Sequence, residues 1–250
     1  MQHIYLVRHG QASFGAENYD KLSSIGKQQA GVVGDYFANQ GIAVAKIIHG
    51  KMSRQQETAE LIAKNAGYTG ELICHQGANE FDSENLIKHY LPILAQQSSS
   101  LNQIMESGED WWATGENFEI FFRALVSMWQ EDKNCPFESW DNFRKRCLSC
   151  LTDVANLNID NTKGITLIAT SGGLISVIMQ TILGSDQNAF MNMNLTINNT
   201  SISEIVWQKN YSNDDQLKEQ KLLKASNRLL SFNNITPLLL AKRKELITRK

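Results

Sequence analysis

IYLVRHGQAS, residues 4–13, is the stretch on which the reading of this chain turns. An apolar, β-branched run, Ile4-Tyr5-Leu6-Val7, reads as a buried strand. It stops at a cation, a titratable ring and a glycine: Arg8, His9 and Gly10. In open α/β sheets, ligands bind beyond the carboxyl ends of the strands. Gly10 allows a turn with little side-chain bulk, and backbone N–H groups there can approach an anion. An arginine beside a histidine on such a turn suits a histidine that attacks a phosphoryl group. Three residues alone would equally suit a strand-end pair meeting surface carboxylates, so the rest of the chain must decide.

The chain has 250 residues, a size for one large domain or for a domain with an elaborated insertion. Apolar residues make up 42%, enough for a sizeable core, and the formal charge is -2. That balance gives nucleic acid or an anionic membrane no electrostatic footing as a partner. No run is long and apolar enough to span a bilayer. The start, MQHIYLVRHG, lacks the pattern of a secretory signal, so the expected compartment is the cytoplasm. There the cysteines, Cys74, Cys135, Cys147 and Cys150, are expected as thiols. Cys147 and Cys150 have CxxC spacing, but they recur with Trp140, Phe143, Leu151 and Val154 at helical period and are expected in a core.

Strand patterns fall at Ile4–Val7, Ala45–His49, Glu71–His75 and Ile165–Thr170, and helical periodicity at Ser24–Asn39, Ser53–Ala66 and Gly173–Leu183. That βαβα order predicts a three-layer α/β/α fold with a mostly parallel central sheet. Ser201–Trp207 and Arg228–Phe232 read as further strands at one edge, around the polar loop NYSNDDQLKEQ. From Phe81 to Leu157 no strand pattern occurs. Phe118, Phe121, Leu125, Met128 and Trp129 have helical spacing there, and SSS, SGED and KNCP punctuate the segment. The expectation is a single domain over 1–250 with a helical cap insertion at about 81–157.

The strand ends carry chemistry. After the second strand, Arg54 opens a helix, where N–H groups and dipole favour anions. Glu80 follows the third strand in ANEF, and the fourth leads to Ser171-Gly172-Gly173 and another helix. Two arginines, a histidine, a glutamate and a glycine-rich helix start thus converge on one sheet edge.

With those residues in view, the chain resembles the histidine phosphatase superfamily, the phosphoglycerate mutase-like enzymes. The resemblance rests on VRHGQAS, LSSIGKQQA, SRQQETAE around Arg54, the Glu80 turn, ATSGG and NTSIS…RLLSFNN. It implies that His9 is the residue that becomes phosphorylated, that Arg8 and Arg54 hold the phosphate oxygens, and that Glu80 protonates the leaving group. Ser171 and Gly172 would add donors to the phosphate. The chemistry is coherent. Neutral imidazole is a nucleophile once its other nitrogen donates a hydrogen bond, and guanidinium forks match phosphate geometry. Glu80 must be protonated to act first, which burial or nearby phosphate charge would favour. No metal or other cofactor is implied.

Two departures from the family pattern stand out. Ser171 occupies the place of a second histidine, and Gly50 that of a serine four residues before Arg54. His3, His49, His75 and His89 match no catalytic position. Removing one preorganised donor from a charge-stabilising site costs about 2.7–4 kcal/mol. The resemblance therefore implies a slow or specialised, metal-independent phosphomonoesterase acting on a small phosphorylated substrate and releasing inorganic phosphate. A phospho-ligand-binding pseudoenzyme and a phosphoglycerate mutase are the alternatives. Retention of both His9 and Glu80 argues against the first. Against the second stands the acidic composition of Phe81–Glu138, with ten Asp/Glu and three Lys/Arg, 3 − 10 = −7. Returning an imidazole at position 171 is expected to raise turnover unless other groups have filled the space. Trp111, Trp112, Phe118, Phe121 and Phe122 are expected in the insertion's core rather than in a ligand pocket. The basic end of LLLAKRKELITRK is compatible with a docked tail, a dimer contact or a disordered end, and the sequence leaves the oligomeric state open.

Overall fold

The computed structural model describes residues 1–13, 20–106, 115–157, 163–207 and 227–249. Its strands are β1 (Gln2–Arg8), β2 (Val44–His49), β3 (Leu72–Cys74), β4 (Ile165–Thr170), β5 (Ile202–Trp207) and β6 (Asn227–Asn234). They form one sheet in the order β3-β2-β4-β1-β5-β6. The β3-β2, β2-β4 and β4-β1 pairings are parallel, so those strands end at the same edge; β5 and β6 close the other side antiparallel. The helices are α1 (Ser24–Asn39), α2 (Ser53–Ala66), α3 (Ser83–Gln97), α4 (Ser99–Glu106), α5 (Gly115–Glu131), α6 (Trp140–Asn156), α7 (Gly172–Leu183), α8 (Gln187–Thr196) and α9 (Thr236–Leu240). The α/β expectation holds, with a mixed six-stranded sheet. No described helix is long and apolar enough to cross a membrane.

Residue alternation along the strands explains the layers. Val7, Ile47, Ile165, Leu167, Ala169 and Ile202 face Ala30, Val33 and Phe37 of α1 and Ala59, Ile62 and Ala63 of α2 in one core cluster. Ile4, Leu6 and Ile168 have the opposite parity and are fully buried on the other face, where α7 packs against β1. All of β4 is buried, as a central parallel strand should be.

The chain divides into two compact units, Met1–Glu80 with Cys147–Lys250, and Phe81–Arg146. The first contains the sheet. The second holds α3, α4, α5 and the start of α6, knit by Phe81, Trp129, Trp140 and Phe143, with Phe81 5.1 Å from Trp129 and edge-on to Phe143 at 5.4 Å. Phe121 and Phe122 are buried, as core residues should be, and Phe118 stacks on Phe122 at 5.3 Å. Cys147 and Cys150 are buried thiols, so their spacing reflects a helix face. Trp111, Trp112, the whole of the loop NYSNDDQLKEQ and the SGED turn lie outside the described residues.

Element ends follow local chemistry. Ser23 caps α1, its hydroxyl accepting the Gly26 N–H at 3.0 Å. Gly67, at φ +69°, ends α2 in the left-handed conformation. The third strand is shorter than expected. His75 leaves it, its Nδ1 accepts the Gly77 N–H at 3.0 Å, and Gln76–Ala78 wind into a 3-10 turn. Glu80 is thus delivered by that turn rather than by the strand end itself.

Candidate active site

The RHG turn is held from two sides. His9 N–H donates to the carbonyl of Thr170, the last residue of β4, at 2.8 Å. Gly10 is a close-approach glycine: a Cβ there would lie 2.4 Å from the Gly26 carbonyl, and one on Gly26 2.2 Å from the Gln11 carbonyl. These two glycines let the start of α1 press against the turn, which joins the RHG and LSSIG stretches physically. Thr58 secures the turn from α2, its hydroxyl accepting the Gly10 N–H at 3.0 Å and donating to the Arg54 carbonyl at 2.7 Å.

His9 is buried, and both ring nitrogens are assigned by their partners. Nδ1 lies 2.7 Å from the carbonyl of Gly10, an acceptor, so Nδ1 carries the proton. Arg54 Nε–H donates to Nε2 at 3.2 Å, so Nε2 presents its lone pair. Burial first, then the Arg54 and Arg8 cations, pull the imidazole well below the usual histidine range; the Gly10 hydrogen bond opposes them and is outweighed. The ring is therefore neutral over the physiological range.

Arg54 is the second residue of α2 and is itself buried. Asp20 fixes it: Oδ1 accepts from Arg54 Nη1 at 2.9 Å, while Oδ2 accepts the Ser53 N–H at 2.7 Å and so caps the same helix. Arg8 turns its Nη1 to two main-chain carbonyls, those of Ile197 and, at 3.0 Å, Arg249. The basic C-terminal tail is docked. Gln29 Nε2 donates to the Leu246 carbonyl at 2.6 Å and to the Thr248 hydroxyl at 2.8 Å. The Thr248 hydroxyl donates to Asn199 Oδ1 at 2.8 Å, and Asn199 Nδ2 donates to the His9 carbonyl at 3.1 Å. Thr200, next to Asn199, holds a left-handed φ of 56°, unfavourable for a β-branched residue, and its N–H donates to the Arg8 carbonyl at 3.0 Å.

The helix start beyond β4 is the other half. Ser171 is the N-cap of α7, yet its hydroxyl makes no capping bond. Instead Ser171 Oγ accepts from Gln55 Nε2 at 2.8 Å, and the same amide donates to the Ala78 carbonyl at 3.2 Å. Glu80 Oε2 accepts the Gly173 N–H at 2.9 Å. Ser171 and Gly172 are buried at that helix start, and a Cβ on Gly172 would come 3.4 Å from Asn194 Oδ1.

The structure thus joins His9 directly to Arg54, and Glu80 to the α7 N-terminus; the two pairs meet through the end of β4. Arg8 adds positive field at His9 while its Nη1 is held by carbonyls. Asp20, Thr58, Gln55, Gln29 and Asn199 escape a sequence reading. The other histidines are engaged elsewhere: His3 with Glu204 at 2.7 Å and His75 with Asp153 at 3.4 Å. His49 repeats the local pattern of His9, with Nδ1 2.7 Å from the Gly50 carbonyl.

Comparison with known proteins gives a consistent family. The probable phosphoglycerate mutase GpmB of Enterobacter sp. (strain 638) is 26% identical over 215 residues, 84% of this chain and 86% of that protein. Among solved structures, the phosphoglycerate mutase of Bacillus anthracis str. Sterne has a TM-score of 0.62 at 16% identity, covering 96% of each chain. A mycobacterial glucosyl-3-phosphoglycerate phosphatase, in complex with VO3, has a TM-score of 0.58 at 15% identity, covering 94% of this chain and 100% of that one. The sequence profile of the histidine phosphatase superfamily (branch 1) matches residues 4–122 and 103–217. A strand-end histidine with a fixed tautomer, a buried arginine on its unprotonated nitrogen and a match across both halves of the fold lead to one conclusion: the chain belongs to the histidine phosphatase superfamily.

Proposed function

We propose that the protein is a metal-independent phosphomonoesterase that works through a phosphohistidine at His9. The observation that carries this is the pairing of Arg54 Nε with His9 Nε2 at 3.2 Å while Nδ1 is held on Gly10. The Nε2 lone pair attacks phosphorus, and the bond from phosphorus to the leaving oxygen breaks. Arg54, with the field of Arg8, offsets charge on the equatorial oxygens. Glu80 gives its proton to the leaving oxygen; its Oε2 accepts from Gly173, so the proton sits on the other oxygen. Water then yields a proton to the Glu80 carboxylate and attacks phosphorus. The P–N bond breaks, releasing inorganic phosphate and neutral His9.

In this reading Ser171 stands where the family has its second histidine, and Ser171 with the Gly172 N–H contributes neutral donors in place of an imidazole. Turnover is correspondingly slow or specialised. Phosphoglycerate mutase is the second reading, favoured by the name and 215-residue span of the relative described above. The -7 balance over Phe81–Glu138 weighs against it, because its field raises the cost of bringing up a bisphosphate.

The test is phosphate release from a panel of phosphorylated metabolites, with and without 2,3-bisphosphoglycerate. Release from a monophosphate that is lost in His9→Ala supports the phosphatase. Interconversion of phosphoglycerates without net release would favour the mutase. Binding of vanadate with neither reaction would make the protein a binder.

A further inference from the structure

Gln55 is fully buried, and its amide orientation is settled by its neighbours. Nε2 lies 3.2 Å from the Ala78 carbonyl, which can only accept, so the nitrogen must face that way. The same nitrogen is 2.8 Å from Ser171 Oγ and therefore donates to it. A hydroxyl that accepts from one side keeps its own proton for another partner. Among the described residues, no acceptor takes the Ser171 proton. Oε1 is buried without a hydrogen-bond partner and occupies the side-chain space of residue 50, where a Cβ would lie 1.9 Å from it. Glycine at 50 is thus a condition for the amide to lie where it does. One side chain, on the residue after Arg54, spans both positions at which this chain departs from its family's pattern.

We propose that Gln55 is a positioning residue for phosphoryl transfer: by donating to Ser171 Oγ it directs the Ser171 O–H toward the phosphoryl oxygens at the α7 N-terminus, with Gly50 leaving room for the amide. This rests on the phosphatase reading of His9, Arg54 and Gly172. Gln55 touches no reacting atom and acts only through Ser171. Gly50, Gln55 and Ser171 form a coupled set, and substitution of any one withdraws the same donor.

The experiment is a double-mutant cycle in the full-length protein, using an aryl monophosphate for kcat and KM and vanadate for affinity, with thermal melts alongside. Gln55→Leu keeps the shape and removes the donor. Its effect is expected as a loss of about tenfold in kcat with KM changed by less than about twofold. The melt should hold, since the Ala78 carbonyl keeps its hydrogen bond from Thr170 Oγ1 at 2.6 Å. In a Ser171→Ala background the same substitution should cost nothing further. Gly50→Ala, which pushes the amide away, should reproduce the loss with Gln55 itself intact, and it carries the cycle if Gln55→Leu does not fold. Equal losses in both backgrounds, or full activity in Gln55→Leu or Gly50→Ala, would overturn the proposal. If the parent protein binds vanadate without releasing phosphate, the phosphatase reading fails by itself, and the cycle on vanadate affinity still decides the role of Gln55 by the same criterion. A parent protein that does neither overturns both.

Discussion

The Nε–H of Arg54 donates to Nε2 of His9 across 3.2 Å, and this contact organises the site. It needs an unprotonated Nε2, while the Nδ1 contact with the Gly10 carbonyl at 2.7 Å needs a proton on Nδ1, so the two partners together select one tautomer. The guanidinium that would hold phosphate oxygens is already at the nitrogen that would attack phosphorus.

The pH dependence follows. His9 is pulled well below the ordinary histidine value near 6.5. Its unprotonated form should persist as pH falls below about 6.5, so, if His9 attacks phosphorus as proposed, the acid limb of kcat/KM should not lie there; an NMR titration of the His9 ring would locate its pKa. Stability has a matching sign. Below about 6.5 the unfolded chain binds a proton at this residue and the folded chain does not, so stability falls as pH drops toward the folded pKa and is fully present above 6.5. Urea denaturation between pH 7.5 and 5 should show this slope, reduced in His9→Asn.

Arg54→Ala should lower vanadate affinity and kcat by about a hundredfold or more, with a smaller effect on the melt. The half-exposed Asp20 carboxylate, 38% exposed, can turn to water when its partner goes. Asp20→Ala should give a milder loss of affinity, about tenfold, because Arg54 remains and only its anchor is removed. A collapsed melt with unchanged affinity in Arg54→Ala would make that residue structural.

The C-terminal tail should matter to activity. Thr248 links Gln29 to Asn199, and Asn199 holds the His9 carbonyl at 3.1 Å. Thr248→Val keeps the shape and removes those bonds, so kcat/KM should fall about three- to tenfold and be restored by Thr248→Ser. Removal of Thr248–Lys250 should do at least as much, since it also takes away the Arg249 carbonyl on Arg8. Steady-state kinetics on the three variants checks this.

Ser171→His illustrates where sequence reasoning stops. From the sequence, an imidazole at this position is expected to raise turnover. The structure has the Gln55 amide 2.8 Å from Ser171 Oγ, in the space such a ring needs. The single substitution should therefore overpack a buried site and lower the melt by the equivalent of about 1–3 kcal/mol, with no gain in kcat. Gln55→Ala together with Ser171→His should relieve the clash and raise kcat above that of Ser171→His alone.

The sheet and its edge were legible because strand period, helix period and strand-end chemistry are local signals. That chemistry marks His9, Arg54 and Gly172 after strand ends and points to Glu80 as well, although the Gln76–Ala78 turn, not the strand end, delivers it. The residues that hold them were not legible. Asp20 reaches Arg54 across 34 positions of sequence, Gln55 reaches Ser171 across 116, and Asn199 reaches His9 across 190. Amides, hydroxyls and single carboxylates carry no periodicity, so only the fold reveals which carbonyl or guanidinium they meet. Gly10 shows the same limit: the sequence predicts a turn glycine, but the need for it is the approach of Gly26 from α1.

The decisive measurement is whether His9 becomes phosphorylated. The full-length protein would be mixed with an aryl monophosphate, quenched in alkali to preserve a P–N bond, digested and mapped by mass spectrometry, with ³¹P NMR distinguishing the ring nitrogens. One phosphoryl group is expected on His9 at Nε2, absent in His9→Ala and much reduced in Arg54→Ala. A phosphoryl group at Nδ1 or on another residue, or full turnover in His9→Ala, would contradict that expectation.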